Sequence, residues 1–227
     1  MLPPADTDPF DPLIEHAIEL SAQWHDRTYR KGAWRDEPFE PADENGIPIP
    51  VMAHVTTVAI TLARAGWDAA TVAAAFLHDV LEDEDRHGRR LAVEHLRKAV
   101  GDRVTDLVVN VTETKNDESG RKRDWRARKE GYLDRLAAAP DEAVAISLAD
   151  KLHNLWSINR ALERGIDVFV STPQRRALTG GPTEQLWFNE AARALAEGRD
   201  DERLRPIMRQ FDEELATFRR LAAERQK

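Results

Sequence analysis

Apolar residues recur at helical spacing along most of the chain. Leu13, Ile14, Ala17, Ile18 and Trp24 share one stripe, and Asp11-Pro12 supplies an N-cap with proline at the first helical position, so a helix is predicted to about Asp26. A second helix is predicted from Pro50, with Val51, Val55, Val58 and Leu62 on one face and Gly66 at its end. Asp68 caps a third, which runs through VAAAF into FLHDVLED. Residues 90–113 predict two helices broken at Gly101-Asp102, and 124–139 and 141–163 predict two more, separated by Pro140. Two closing helices follow, the last carrying Leu204, Met208, Phe211, Leu215, Phe218 and Ala222 at alternating steps of four and three. Residues 27–50, TKNDESGRKRDW and VSTPQRRALTGGPTE carry no period and read as long loops of the kind that serve function. With no strand run and no internal repeat, the fold class is all-α: a helical bundle with long functional loops and C-terminal helices.

The length of 227 residues fits a single domain, with a core at about 12–163 and a C-terminal helical extension at about 183–225. The stripe on the last helix suits a homodimer seam, although docking onto its own domain is the simpler reading. Charged residues at 33% and apolar residues at 41% indicate a soluble globular chain rather than a disordered one. No apolar run approaches the roughly 18 residues of a membrane span, and the acidic, proline-rich start lacks the features of a signal peptide. The chain has no cysteine, which fits a cytoplasmic setting and leaves any metal to histidines and carboxylates. A net charge of −8 argues against a nucleic-acid partner, and an anionic ligand would need local cations to hold it.

The candidate chemistry begins in FLHDVLED. At about 100° per residue, His78, Glu82, Asp79 and Asp83 fall on one face of the third helix. One turn upstream the same sector holds Thr71, Val72 and Ala75, and the helix is apolar all round, which predicts burial. Several like charges where a core helix emerges into a cleft call for a cation. The helix bearing LADKLHN poses the same problem, because Ser147, Asp150 and Asn154 form a narrow polar stripe among Val144, Ile146, Leu148, Leu152 and Leu155. A buried Asp150 must ligate or pair. His54 lies on the apolar stripe of the second helix, where a lone histidine is more often a hydrogen-bonded core residue than a ligand. Taken together, His54, His78, Asp79 and Asp150 offer two imidazoles and two carboxylates, a set suited to Mn²⁺, Fe²⁺ or Zn²⁺ rather than Ca²⁺.

The spaced pattern H…HD…D, with HDVLED and LADKLHN, resembles the HD-domain metal-dependent phosphohydrolases, and most closely the (p)ppGpp hydrolase domains of RelA/SpoT proteins and the small alarmone hydrolases. That resemblance covers roughly residues 12–160. It implies hydrolysis of the 3′-pyrophosphate of a small-molecule nucleotide such as (p)ppGpp, with release of pyrophosphate. It also implies one divalent ion, typically Mn²⁺, on His54, His78, Asp79 and Asp150; Glu82 and Asp83 as the residues that orient and deprotonate water; and Arg30, Lys31 and Asn154 on the nucleotide. The chain departs from the family pattern in having Val55 after the metal histidine, a longer segment between Lys31 and His54, and Glu142 and Ser147 ahead of LADK. These departures bear on the substrate, so the alternatives are ppApp-type nucleotides, NADPH 2′-phosphate or a nucleoside monophosphate, or a non-catalytic nucleotide-binding or antitoxin module.

Among Lys115, Arg121, Lys122, Arg123, Arg126, Arg128 and Lys129, one or two are expected to meet phosphate and the rest to be solvated. Trp34 and Trp125 are candidates for stacking on a base, with cover of apolar surface an equal alternative. His16 and His25 are expected to be structural, and His87 and His95 to lie on the surface.

Overall fold

The computed structural model describes residues 9–30, 49–117, 119–172 and 177–224. Among these, eight helices and two isolated bridges account for the regular structure. They are α1 (Pro12–Trp24), α2 (Val51–Arg64), α3 (Ala69–Leu77), α4 (Val93–Val111), α5 (Trp125–Ala137), α6 (Asp141–Glu163), α7 (Pro182–Ala194) and α8 (Leu204–Glu224). The all-α expectation holds.

Local chemistry sets the helix ends. The Asp11 carboxylate accepts from the N–H groups of Leu13 at 2.8 Å and Ile14 at 3.3 Å, and Asp68 and Asp124 cap α3 and α5 in the same way. Gly101 sits inside α4 at φ 80°, ψ 175°, so the predicted break is present as a kink between two helical pieces.

Helix α3 is the centre of the bundle, with every residue from Ala70 to Leu77 buried against α1, α2, α4 and α6. That burial follows from its composition, since AATVAAAFL is apolar on all sides and small enough for four neighbours to approach. Helix α6 is the second buried rod, packed on α2, α4 and α8. The stripe of α8 docks onto the chain's own fold, burying Leu204, Ile207, Phe211, Leu215 and Phe218, and Asn159 of α6 donates to the Glu214 backbone carbonyl at 2.9 Å and side chain at 2.7 Å. No described helix is long and apolar enough to cross a membrane.

The structure corrects one expectation. Helix α3 ends at Leu77 with His78 as its C-cap, and HDVLED forms successive turns instead of continuing the helix. Val80 N–H bonds to the Leu77 carbonyl at 3.1 Å, and those of Glu82 and Asp83 both bond to the Asp79 carbonyl, at 3.0 and 2.9 Å. Short-range bonds of this kind tighten a last turn and satisfy carbonyls that a terminating helix leaves open. The first helix likewise stops at Trp24, where His25 donates its N–H to the Ser21 carbonyl and Arg27 takes φ 57°.

Candidate functional site

Three buried elements converge at the end of α3. His54 comes from α2, His78 from the C-cap of α3 and Asp150 from α6, and one ligand atom from each lies within 4.8 Å of the others. His54 Nε2 is 3.0 Å from Asp150 Oδ1, and His78 Nε2 is 3.4 Å from Asp79 Oδ1 and 3.9 Å from Asp150 Oδ1. His78 Nδ1 donates to the Ala75 carbonyl at 2.7 Å, which leaves the lone pair of the neutral ring on Nε2. That Nε2 is buried and has no hydrogen-bond partner among the described residues. A lone pair aimed at two carboxylates is unfavourable, so this nitrogen takes up a proton or a cation, and the donor set of two imidazoles and carboxylate oxygen fits a divalent transition-type ion.

Burial works against a charge on His78, but Asp79, Asp150 and the Ala75 carbonyl outweigh it and raise its pKa, so the carboxylates draw positive charge to this point. Burial pushes His54 down to about 4, against the opposing pull of Asp150, so its ring is neutral near pH 7. Burial, reinforced by the Asp150, Asp83 and Glu82 carboxylates, lifts Asp79 above the ordinary range even though His78 pulls the other way. Burial also works against the Asp150 charge, but the Lys151 ammonium at its other oxygen outweighs it and keeps the group ionised. Carboxylates held this close favour a cation among them.

Asp79 stands at the edge of this cluster, its carboxylate directed to His78. Glu82 and Asp83 lie further out along the turn, bridged by Lys115 Nζ at 3.3 Å from Glu82 Oε1 and 3.4 Å from Asp83 Oδ1. The Glu113 backbone N–H donates to Glu82 Oε2 at 3.2 Å, and Trp24 Nε1 holds the Asp83 carbonyl at 3.0 Å. All three carboxylates face a cavity of about 500 Å³. Its other walls include Arg30, Lys115, Lys129, Lys151 and Asn154, and, from beyond α6, Leu178, Thr179, Gln185, Phe188 and Asn189. Arg30 Nη2 donates to Asn154 Oδ1 at 2.6 Å, so two of the three predicted nucleotide contacts adjoin one another. Lys31 and Trp34 lie outside the described residues.

An HD-domain family model matches residues 37–170, more than half of the chain. The chain belongs to the HD-domain family. This HD-domain chain is 30% identical over 56% of its length to a probable guanosine-3′,5′-bis(diphosphate) 3′-pyrophosphohydrolase of Synechocystis. It is 32% identical over 66% of its length to a GTP pyrophosphokinase of Streptomyces coelicolor, and 32% identical over 64% to a guanosine-3′,5′-bis(diphosphate) 3′-pyrophosphohydrolase of Aquifex aeolicus. These proteins are much longer, and the matches span 15%, 15% and 18% of them. Two solved structures share the fold. One, described as a metazoan ortholog of SpoT that hydrolyzes ppGpp, superposes with a TM-score of 0.63 at 22% identity, covering 92% of this chain and 97% of its own. The other, from Listeria monocytogenes, gives a TM-score of 0.58 at 26% identity over 74% of this chain and 97% of its own.

Within the HD-domain pocket the structure sorts the basic run. Arg121 pairs with Asp117, and Arg126 pairs with Glu130 while lying 3.2 Å from the Trp187 ring centroid. Lys115, Arg128 and Lys129 line the cavity. Lys151, Glu113 and His153 were not singled out by sequence reasoning, because a buried pair and a neighbour-touching imidazole leave no periodic signal. Trp125 lines the cavity and also packs edge-on against Trp187 and Phe188.

Glu113 holds this wall together, accepting from Arg128 Nη1 at 2.5 Å and from Lys129 Nζ. Burial would raise its carboxyl, but Lys129 and Arg128 outweigh that and hold it low. Glu113→Gln is expected to destabilise the chain by about 3 kcal/mol at pH 7, because it leaves buried cations uncompensated. A carboxyl that titrates below the unfolded value of about 4.3 stabilises fully above that value and loses its effect as pH falls through the folded one. Urea unfolding of both chains should therefore show the gap narrowing below about pH 4.

Proposed function

We propose that this HD-domain chain is a metal-dependent phosphohydrolase that removes the 3′-pyrophosphate of (p)ppGpp or a close relative. Residues 12–163 and 183–225 act as one functional unit in this reading. The observation that carries it is the buried Nε2 of His78, without a hydrogen-bond partner among the described residues, opposite His54 and Asp150 at the base of a cavity edged by Glu82, Asp83 and lysines. His54, His78, Asp79 and Asp150 hold the ion, which we take to be Mn²⁺. When bound, such an ion polarises a phosphoryl oxygen and lowers the pKa of a water.

The chain's own residues supply the rest. Glu82 and Asp83 orient the attacking water and take its proton, a contribution of about 10²- to 10⁴-fold for a positioned general base. Lys115 keeps the two carboxylates on the cavity side. Arg30 and Asn154 hold the nucleoside, and Lys129 and Lys151 supply charge for the diphosphate. Water attacks the phosphorus next to the 3′-oxygen, that P–O bond breaks, and pyrophosphate leaves while the 3′-oxygen takes up a proton.

A second reading keeps the site and changes the nucleotide to a ppApp type, NADPH 2′-phosphate or a nucleoside monophosphate. It is favoured by the cavity wall from Leu178, Thr179, Gln185, Phe188 and Asn189, beyond the family match. A Mn²⁺-supplemented panel of these substrates with product identification tests both. The first reading expects pyrophosphate release and a preference for (p)ppGpp of more than about tenfold, or about 1.4 kcal/mol in the barrier. A smaller preference, or release of phosphate, favours the second.

A further inference from the structure

His153, next to Asn154 on α6, touches the same cluster from behind. Its Nδ1 lies 2.6 Å from Nδ1 of His54 and 3.0 Å from Arg30 Nη1. The His153 ring stacks on that of His54 with centroids 4.9 Å apart and planes 18° apart, and on Trp156 at 5.9 Å and 15°. Two imidazole nitrogens at 2.6 Å cannot both present lone pairs, so one of them carries a hydrogen. The Arg30 guanidinium reaches both rings, with Nη1 3.0 Å from His153 Nδ1 and 3.3 Å from His54 Nδ1. When His54 ligates through Nε2 its hydrogen sits on Nδ1, and His153 Nδ1 at 2.6 Å is then the acceptor. A neutral His54 with hydrogen on Nδ1 has its lone pair on Nε2, the atom that faces Asp150 and His78.

We propose that His153 is a positioning residue that fixes His54 in the tautomer able to ligate a divalent ion through Nε2. The inference rests on the metal-site reading above. His153 acts through His54 and needs no contact with substrate. Outer partners of metal-bound histidines hold the ring in orientation and typically contribute about 10- to 100-fold in metal affinity. Arg30 completes the arrangement: its Nη1 supports the acceptor while its Nη2 holds Asn154, so the nucleotide wall and the metal ligand share one guanidinium.

The experiment is a Mn²⁺ titration of the full chain and three variants. His153→Phe keeps a flat ring on His54 and Trp156 but has no acceptor. His153→Asn places a carbonyl oxygen near the position of Nδ1. The expected result is affinity weakened by about 10- to 100-fold in H153F and within about threefold of the parent in H153N, with the metal-free thermal midpoint preserved. Wild-type affinity in H153F would overturn the proposal. His54→Ala is the control for the underlying reading, since undiminished Mn²⁺ binding there would mean that the metal site itself is misassigned. Should H153F fail to fold, nitrogen-15 imidazole spectra of the parent chain decide the matter: hydrogen on His54 Nδ1 supports the proposal, and hydrogen on Nε2 in the Mn²⁺-free and Zn²⁺-loaded chain overturns it.

Discussion

His78→Ala is expected to abolish metal binding and bring nucleotide hydrolysis to background while the chain stays folded. His78 Nε2 is buried with no hydrogen-bond partner among the described residues, and its Nδ1 is anchored on the Ala75 carbonyl, so the ring is held in one orientation. Without it, Asp79 and Asp150 face each other across a space with no imidazole between them. Loss of the several kcal/mol of charge stabilisation that metal catalysis supplies, at about 1.36 kcal/mol per tenfold, corresponds to at least about a thousandfold in rate. Asp150→Ala should also empty the site, but it strands the Lys151 ammonium in the core, a cost of roughly 3–5 kcal/mol for a broken buried pair. His78→Ala is therefore the cleaner test. Metal content of the purified variant, read beside its thermal midpoint, checks the prediction; a folded H78A chain with full metal content and full rate would refute the site.

Glu82→Gln should separate proton transfer from metal binding. The amide can still accept the Glu113 N–H that Glu82 Oε2 receives at 3.2 Å, so the turn is kept, but the side chain can no longer take a proton from water. We expect kcat to fall by about 10²- to 10⁴-fold with Mn²⁺ affinity and KM close to the parent. Equal falls in kcat and in metal affinity would instead place Glu82 among the ligands. An unchanged kcat would remove it from the proposed chemistry and leave Asp83, its partner across Lys115, as the remaining candidate.

Much of the fold was legible along the chain. Apolar stripes and helix breakers located most of the described helices to within a few residues, Asp11 and Asp68 marked two starts, and Gly101 marked the kink. The exception is instructive. A helical wheel carried HDVLED onward as helix, whereas the chain turns at His78. The wheel tests periodicity, and a tight succession of turns nearly preserves the angular order of side chains, so the two cannot be told apart by spacing. The grouping of Asp79 with Glu82 and Asp83 on the cavity side is therefore common to both.

His54, His78 and Asp150 were recognisable because each is a polar residue on an otherwise apolar helix face, and burial makes such a residue costly unless it binds something. Residue type and local environment suffice for that inference, and both are present in sequence. Lys115, Lys129, Glu113 and His153 were not separable from ordinary polar positions, because their roles depend on partners 16 to 99 positions away, as with His153 and His54. The same holds for the wall from α7, whose Phe188 and Asn189 read as one more amphipathic helix until α5 and α6 are set beside them. The sequence by itself determined the helices and the residues with chemistry to explain; which of them meet, which lysine faces the cavity and which nitrogen of His54 is left open were decided by tertiary packing, since hydrogen bonds and ion pairs act over a few ångströms and carry no period along the chain.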